Sequence, residues 1–231
     1  MDKFSYYDTL ANLVPGLVLI WALPILGPVA ADTAKATLTG SDIADALIVL
    51  AVSYVAGHVL QVLSRYSVEP IIKRLFWKGE FFSDIFLVKA FGRCSAVERS
   101  HYLNEAKKKL AYTDASLLPL DDPDAAKKGD KRSAALEVSR AIYRAIDAKT
   151  QDASLALKAH TQNTFYSVFR NLSALCLLLT ILNSLVALDL MHGVRRSWVV
   201  VGLDAVLFVV FLARARQRGE MYVKGLFWSY L

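Results

Sequence analysis

The stretch Phe165 to Leu188, FYSVFRNLSALCLLLTILNSLVAL, opens with aromatics and an arginine and then runs apolar for most of its length. About 20 apolar residues let a helix cross a hydrocarbon core roughly 30 Å thick. Within the run stand Thr180, Asn183 and Ser184. In lipid each of these needs a partner on its own helix, on a neighbouring helix or in water. The last case would make the segment part of a pore.

Working outward, four apolar blocks appear: Leu13–Ala31, Ile43–Leu63, Leu172–Leu188 and Trp198–Ala213. The chain of 231 residues is 55% hydrophobic with a mean hydropathy of +0.37, yet 21% of it is charged. Both hold only when the apolar residues are segregated. The first block also fits a signal peptide, with Val29-Ala30-Ala31 as a cleavage region, but Pro15, Pro24 and Pro28 interrupt it and three further blocks favour the membrane. Pro15 reads as a start signal in the first turn of its helix. The expected fold class is therefore all-α: four transmembrane helices with a helical cytoplasmic domain inserted between spans 2 and 3. The expected boundaries are an N-terminal transmembrane hairpin over 1–64, a basic helical domain over 65–170, a C-terminal hairpin over 171–213 and a cytoplasmic tail over 214–231.

Charge sets the expected orientation. From Arg65 to Arg170 there are nineteen Lys and Arg against thirteen Asp and Glu. The positive-inside rule then places that domain and both termini in the cytoplasm, with Arg195 and Arg196 as the exceptions facing outward. The two cysteines, Cys94 and Cys176, fall in a basic stretch and an apolar block, which argues against a disulfide or a metal site.

The inserted domain reads as helical throughout. Residues 68–78 mix Ile71, Ile72, Leu75 and Phe76 with Lys73, Arg74 and Lys78, the pattern of a helix at the headgroup boundary. A second apolar helix ends at Gly92. Ser95 and Glu98 form a capping box for a helix to about Tyr112, and Ser133 is placed to cap another, in which Ile142 and Ile146 share a stripe. Residues 121–132 read as an exposed polar loop. The helix from Ser133 can continue with little break into the third span.

No nucleophile, P-loop, dinucleotide or zinc signature occurs, and the four histidines are scattered, so the chain is read as a non-enzyme without cofactor or metal. Two sets of candidate residues remain. Thr180, Asn183, Ser184, Asp204 and His58 are the intramembrane polar set. An ionisable residue in a span faces protein or water, so Asp204 and His58 fit either a pore or a hydrogen bond to a neighbouring helix. Ser53 and Gly57 add a small-xxx-small face for close helix approach. The second set is Lys107, Lys108, Lys109, Arg140, Tyr143 and Arg144, a polyanion-binding candidate in which an arginine pair flanks an aromatic. Against it, Glu137–Arg140 and Arg144–Asp147 read equally as ion pairs on a solvated face, and the cations nearest the membrane read as contacts to anionic lipid.

The opening YYDTLANLVPGLVLIWAL and the stretch NTFYSVFRNLSAL resemble segments of small bacterial membrane effectors of anti-phage defence with four predicted spans. The Hailong-type channel effector is the first such family and the membrane subunit of Kiwa systems the second. The resemblance implies a homo-oligomer (a tetramer is expected), a conducting or membrane-disrupting output, a nucleotide or DNA oligomer ligand and a nucleotidyltransferase partner. The leading expectation is a ligand-gated ion channel. The rival is a non-conducting membrane scaffold or sensor that recruits a soluble partner. A small transporter or a membrane enzyme has less behind it.

Overall fold

The computed structural model describes residues 6–22, 42–127, 129–150, 157–188 and 198–230. All regular structure among them is helical, with no strand. The helices are α1 (Tyr6–Ala22), α2 (Asp42–Phe76), α3 (Phe82–Ile85), α4 (Ala96–Leu110), α5 (Asp114–Leu117), α6 (Asp130–Thr150), α7 (Leu157–Ala187) and α8 (Trp198–Tyr230), with 3-10 turns at Lys89–Phe91, Leu118–Asp121 and Pro123–Ala126. Three helices are long and apolar enough to cross a membrane: Ile43–Phe76, Leu157–Ala187 and Trp198–Tyr230. The first expected span is described only as far as Ala22, where it is a shorter apolar helix. Residues 23–31, and with them Pro24 and Pro28, lie outside the described residues, as do Arg195 and Arg196.

Several elements differ from the sequence reading. The second span and the expected headgroup helix are one helix of 35 residues that runs through Pro70. Pro15 lies inside α1 and not at its start. α6 begins at Asp130, three residues before Ser133, whose hydroxyl turns back onto the Gly129 carbonyl at 3.4 Å. The Ser95–Glu98 capping box forms as read. The second apolar helix expected to end at Gly92 is instead one helical turn, Phe82–Ile85, followed by the separate 3-10 turn Lys89–Phe91, which Gly92 ends at φ 61 in the left-handed region that glycine adopts without strain. Within 121–132 the chain takes a 3-10 turn started by Pro123.

The chain divides into two compact units. Unit 1 comprises Met1–Ile72 and Thr164–Gln217, and unit 2 comprises Lys73–Asn163 and Arg218–Leu231. The stretch expected as a tail is thus the end of α8, and residues 218–230 belong to unit 2.

Unit 1 places its polar and apolar groups in the reverse of the soluble pattern. Buried within it are Ser53, Ser64, Arg170, Asn171, Ser173, Asn183 and Asp204. Exposed are Leu47, Val55, Val59 and Val62 of α2, Ile181 of α7, and Leu203, Val206 and Val209 of α8. In water such an exterior would leave a wide apolar surface uncovered. In lipid it is the expected solvent boundary, with polar groups collected inside.

α1 and α2 meet backbone to backbone. A Cβ on Gly16 would stand 1.7 Å from the Ser53 carbonyl oxygen, and one on Gly57 would stand 1.9 Å from the Asn12 carbonyl oxygen. Only glycine permits either approach, so the small-xxx-small face is an intramolecular contact here.

Unit 2 has an ordinary core. Phe86 is the centre of an aromatic cluster, with ring centroids at 5.5 Å from Phe82, 6.0 Å from Tyr102 and 5.1 Å from Phe227. These offset separations suit aromatic packing. α6 lays Ala135, Ser139, Ile142 and Ile146, a stripe at helical spacing, against α3 and the two 3-10 turns that follow α5. Asp84, buried in this unit, accepts from both Nε (3.1 Å) and Nη2 (2.7 Å) of Arg140.

Candidate functional site

The intramembrane polar set is partly brought together. Asn183 Nδ2 donates to Asp204 Oδ2 at 2.6 Å, joining α7 to α8, and the two residues are only 3% and 8% exposed. The bond is short, and burial in apolar surroundings strengthens it. Thr180 and Ser184 turn inward on their own helix: Thr180 Oγ1 donates to the Cys176 carbonyl (2.7 Å) and Ser184 Oγ to the Thr180 carbonyl (2.6 Å). His58 is not part of the group. It is exposed on α2 and stands edge-on to Tyr54, with ring centroids 4.5 Å apart.

A second polar network in unit 1 escaped the sequence reading. Arg170 is buried and donates from Nη1 to Glu69 Oε2 at 2.9 Å and from Nε to Ser64 Oγ at 3.1 Å. Ser64 Oγ in turn donates to Asn171 Oδ1 at 2.7 Å. Asn171, fully buried, sends Nδ2 to the carbonyl of Ala11 at 3.3 Å. That carbonyl lies four residues before Pro15, which has no N–H to return to it. The Asn171 amide therefore fills the vacancy that proline leaves in α1, and the network ties α1, α2 and α7 into one frame. The available signal was this pairing of a mid-helix proline with a span-embedded asparagine.

In unit 2 the expected polyanion set is largely engaged within the protein. Lys107 pairs with Asp114, and Lys108 with Glu105 at 3.0 Å. Lys109 lies 3.7 Å from Glu105 and donates to the Tyr230 carbonyl at 2.8 Å. Arg140 is held by Asp84, not by the nearer-in-sequence Glu137, and that bond raises the pKa of its guanidinium. Tyr143 shares a hydrogen bond with Tyr222, and burial pushes its hydroxyl up to about 12. Asp147, expected to pair with Arg144, accepts instead from the Tyr222 hydroxyl at 3.0 Å. Arg144 is exposed and has no ion-pair partner among the described residues. Elsewhere in the unit Cys94 is a free thiol whose pKa burial raises to about 11. Among the described residues no group of three or more His, Cys, Asp or Glu is placed to hold a metal.

No protein family, curated protein or solved structure matches the chain.

Proposed function

We propose that the chain is a membrane-embedded effector of the ligand-gated channel type, assembled from several copies in a bacterial inner membrane, with both termini and unit 2 in the cytoplasm. Unit 2 takes a nucleotide or oligonucleotide signal, and unit 1 carries the conducting path in anti-phage defence. The observation that supports this most is the Asn183–Asp204 pair, an ionisable group held inside an apolar helical unit whose exterior suits lipid. Intramembrane carboxylates typically mark ion or proton pathways. In the expected outcome, purified protein in planar bilayers gives discrete openings, and Asp204→Asn lowers the preference for cations. An oligomer that never conducts, with or without oligonucleotide, contradicts the reading.

One observation favours the scaffold or sensor alternative. Thr180, Asn183 and Ser184 all donate to partners within the protomer. On that reading the pair is a structural clasp between α7 and α8, and Asn183→Leu combined with Asp204→Leu leaves partner recruitment intact.

A further inference from the structure

Unit 2 contains an open cavity of about 680 Å³ where the turn after α2 faces the first turn of α6. The volume lies within the range of small-molecule sites, about 300–1,000 Å³. Its charged lining is Arg74, Lys78 and Arg132 against the single carboxylate of Glu80, three cations to one anion. Arg132 is only 15% exposed and is fixed by bonds from Nη2 to the Lys78 carbonyl (3.0 Å) and to Glu80 Oε1 (3.1 Å). Arg74 and Lys78 line the cavity with no ion-pair partner among the described residues, and the Lys78 ammonium lies 5.2 Å over the Phe91 ring.

The backbone is arranged to present them. Lys78 sits in the left-handed region at φ 55 and Gly79 follows at φ 91, while the Gly79 N–H closes onto the Lys73 carbonyl at 2.8 Å. A lysine there is strained, and such outliers gather at ligand-holding turns. The opposite wall, Gly129 and Ser133, belongs to the start of the 21-residue α6, where the helix dipole favours an anion. Asp130, the acidic residue of that first turn, does not line the cavity.

We infer that this cavity binds a phosphate-bearing ligand, with Arg74 and Lys78 as its exposed cations and Arg132 as the fixed one. Two sources offer that chemistry. Arg74 ends a membrane-length helix beside the exposed Leu75, which suits the headgroup of an anionic lipid. The volume also admits the phosphates of a soluble nucleotide. The inference rests on unit 2 as the ligand-taking part and not on conduction.

The test uses the full chain in phosphatidylcholine nanodiscs. One arm titrates inorganic pyrophosphate, and the other counts retained phosphatidylglycerol by native mass spectrometry after mixed-lipid reconstitution. Binding is expected in at least one arm. Arg74→Gln with Lys78→Gln should weaken it about tenfold or more, because each lost contact is a charge-assisted hydrogen bond. Lys158→Gln with Lys224→Gln, two exposed cations of unit 2 outside the cavity lining, should leave it unchanged. Glu80→Gln removes the competing carboxylate and should tighten binding about threefold, a gain that no misfolded protein would give. Absence of binding in both arms overturns the site, as does equal loss in the Lys158 and Lys224 control. Binding without conductance retires the channel and keeps the site, whereas conductance without binding here does the reverse.

Discussion

Arg170 shows how much of this molecule depends on single partners. A guanidinium buried in a unit with an apolar exterior is tolerable only with its donors matched, and Glu69 and Ser64 match them. Removing one partner of such a pair leaves an uncompensated buried charge. Glu69→Ala is therefore expected to cost about 3–5 kcal/mol of stability in detergent, read by denaturant titration. Glu69→Ala combined with Arg170→Met should recover most of that loss, because no lone charge then remains. A double variant as unstable as Glu69→Ala would show that the pair is not the reason. At this scale the sequence was partly legible. It marked Asn183, Ser184, Thr180 and Asp204 as polar groups needing partners, and the structure supplies those partners. It missed Asn171 and Glu69, because a residue that completes another helix's hydrogen bond carries no local pattern of its own.

At the scale of elements, periodicity and capping were read well where they are local: the Ser95–Glu98 box and the stripe on α6. Continuity was read poorly. A switch from apolar to basic residues suggested two helices where α2 is one and runs through Pro70, since a proline need not end a helix whose neighbours hold it. Arg140 likewise chose Asp84, remote in sequence, over its i−3 neighbour, because packing α6 on α3 buries Asp84 and requires a counter-charge. Helix contact yields a sharp prediction. Gly57→Leu drives side-chain atoms into the Asn12 backbone and should separate α1 from α2, costing more than about 3 kcal/mol. Gly202→Ala in α8, where an added Cβ meets nothing within 4 Å, should be neutral or stabilise by up to about 1 kcal/mol. Both are read by unfolding in mixed micelles. Equal sensitivity at the two glycines would argue against close α1–α2 packing.

On the scale of the whole molecule, the chain is two units with opposite solvent logic. Unit 2 buries Phe86, Tyr102 and Phe227 as any water-soluble core would, and it recruits residues 218–230 to do so. That use of the C-terminal stretch was not legible, because apolar residues after a long apolar run read as more of the same or as a tail. Unit 1 encloses arginine, asparagine and aspartate and turns valine and leucine outward. The claim that this exterior faces lipid underlies every functional reading above, since both channel and membrane sensor need it. The direct measurement is spin-label accessibility in reconstituted vesicles, with single cysteines at Val59, Val206 and Val209 on a background free of Cys94 and Cys176. The account predicts strong relaxation by oxygen and little by a water-soluble nickel chelate at all three positions. Ready access of the chelate to those positions would contradict it.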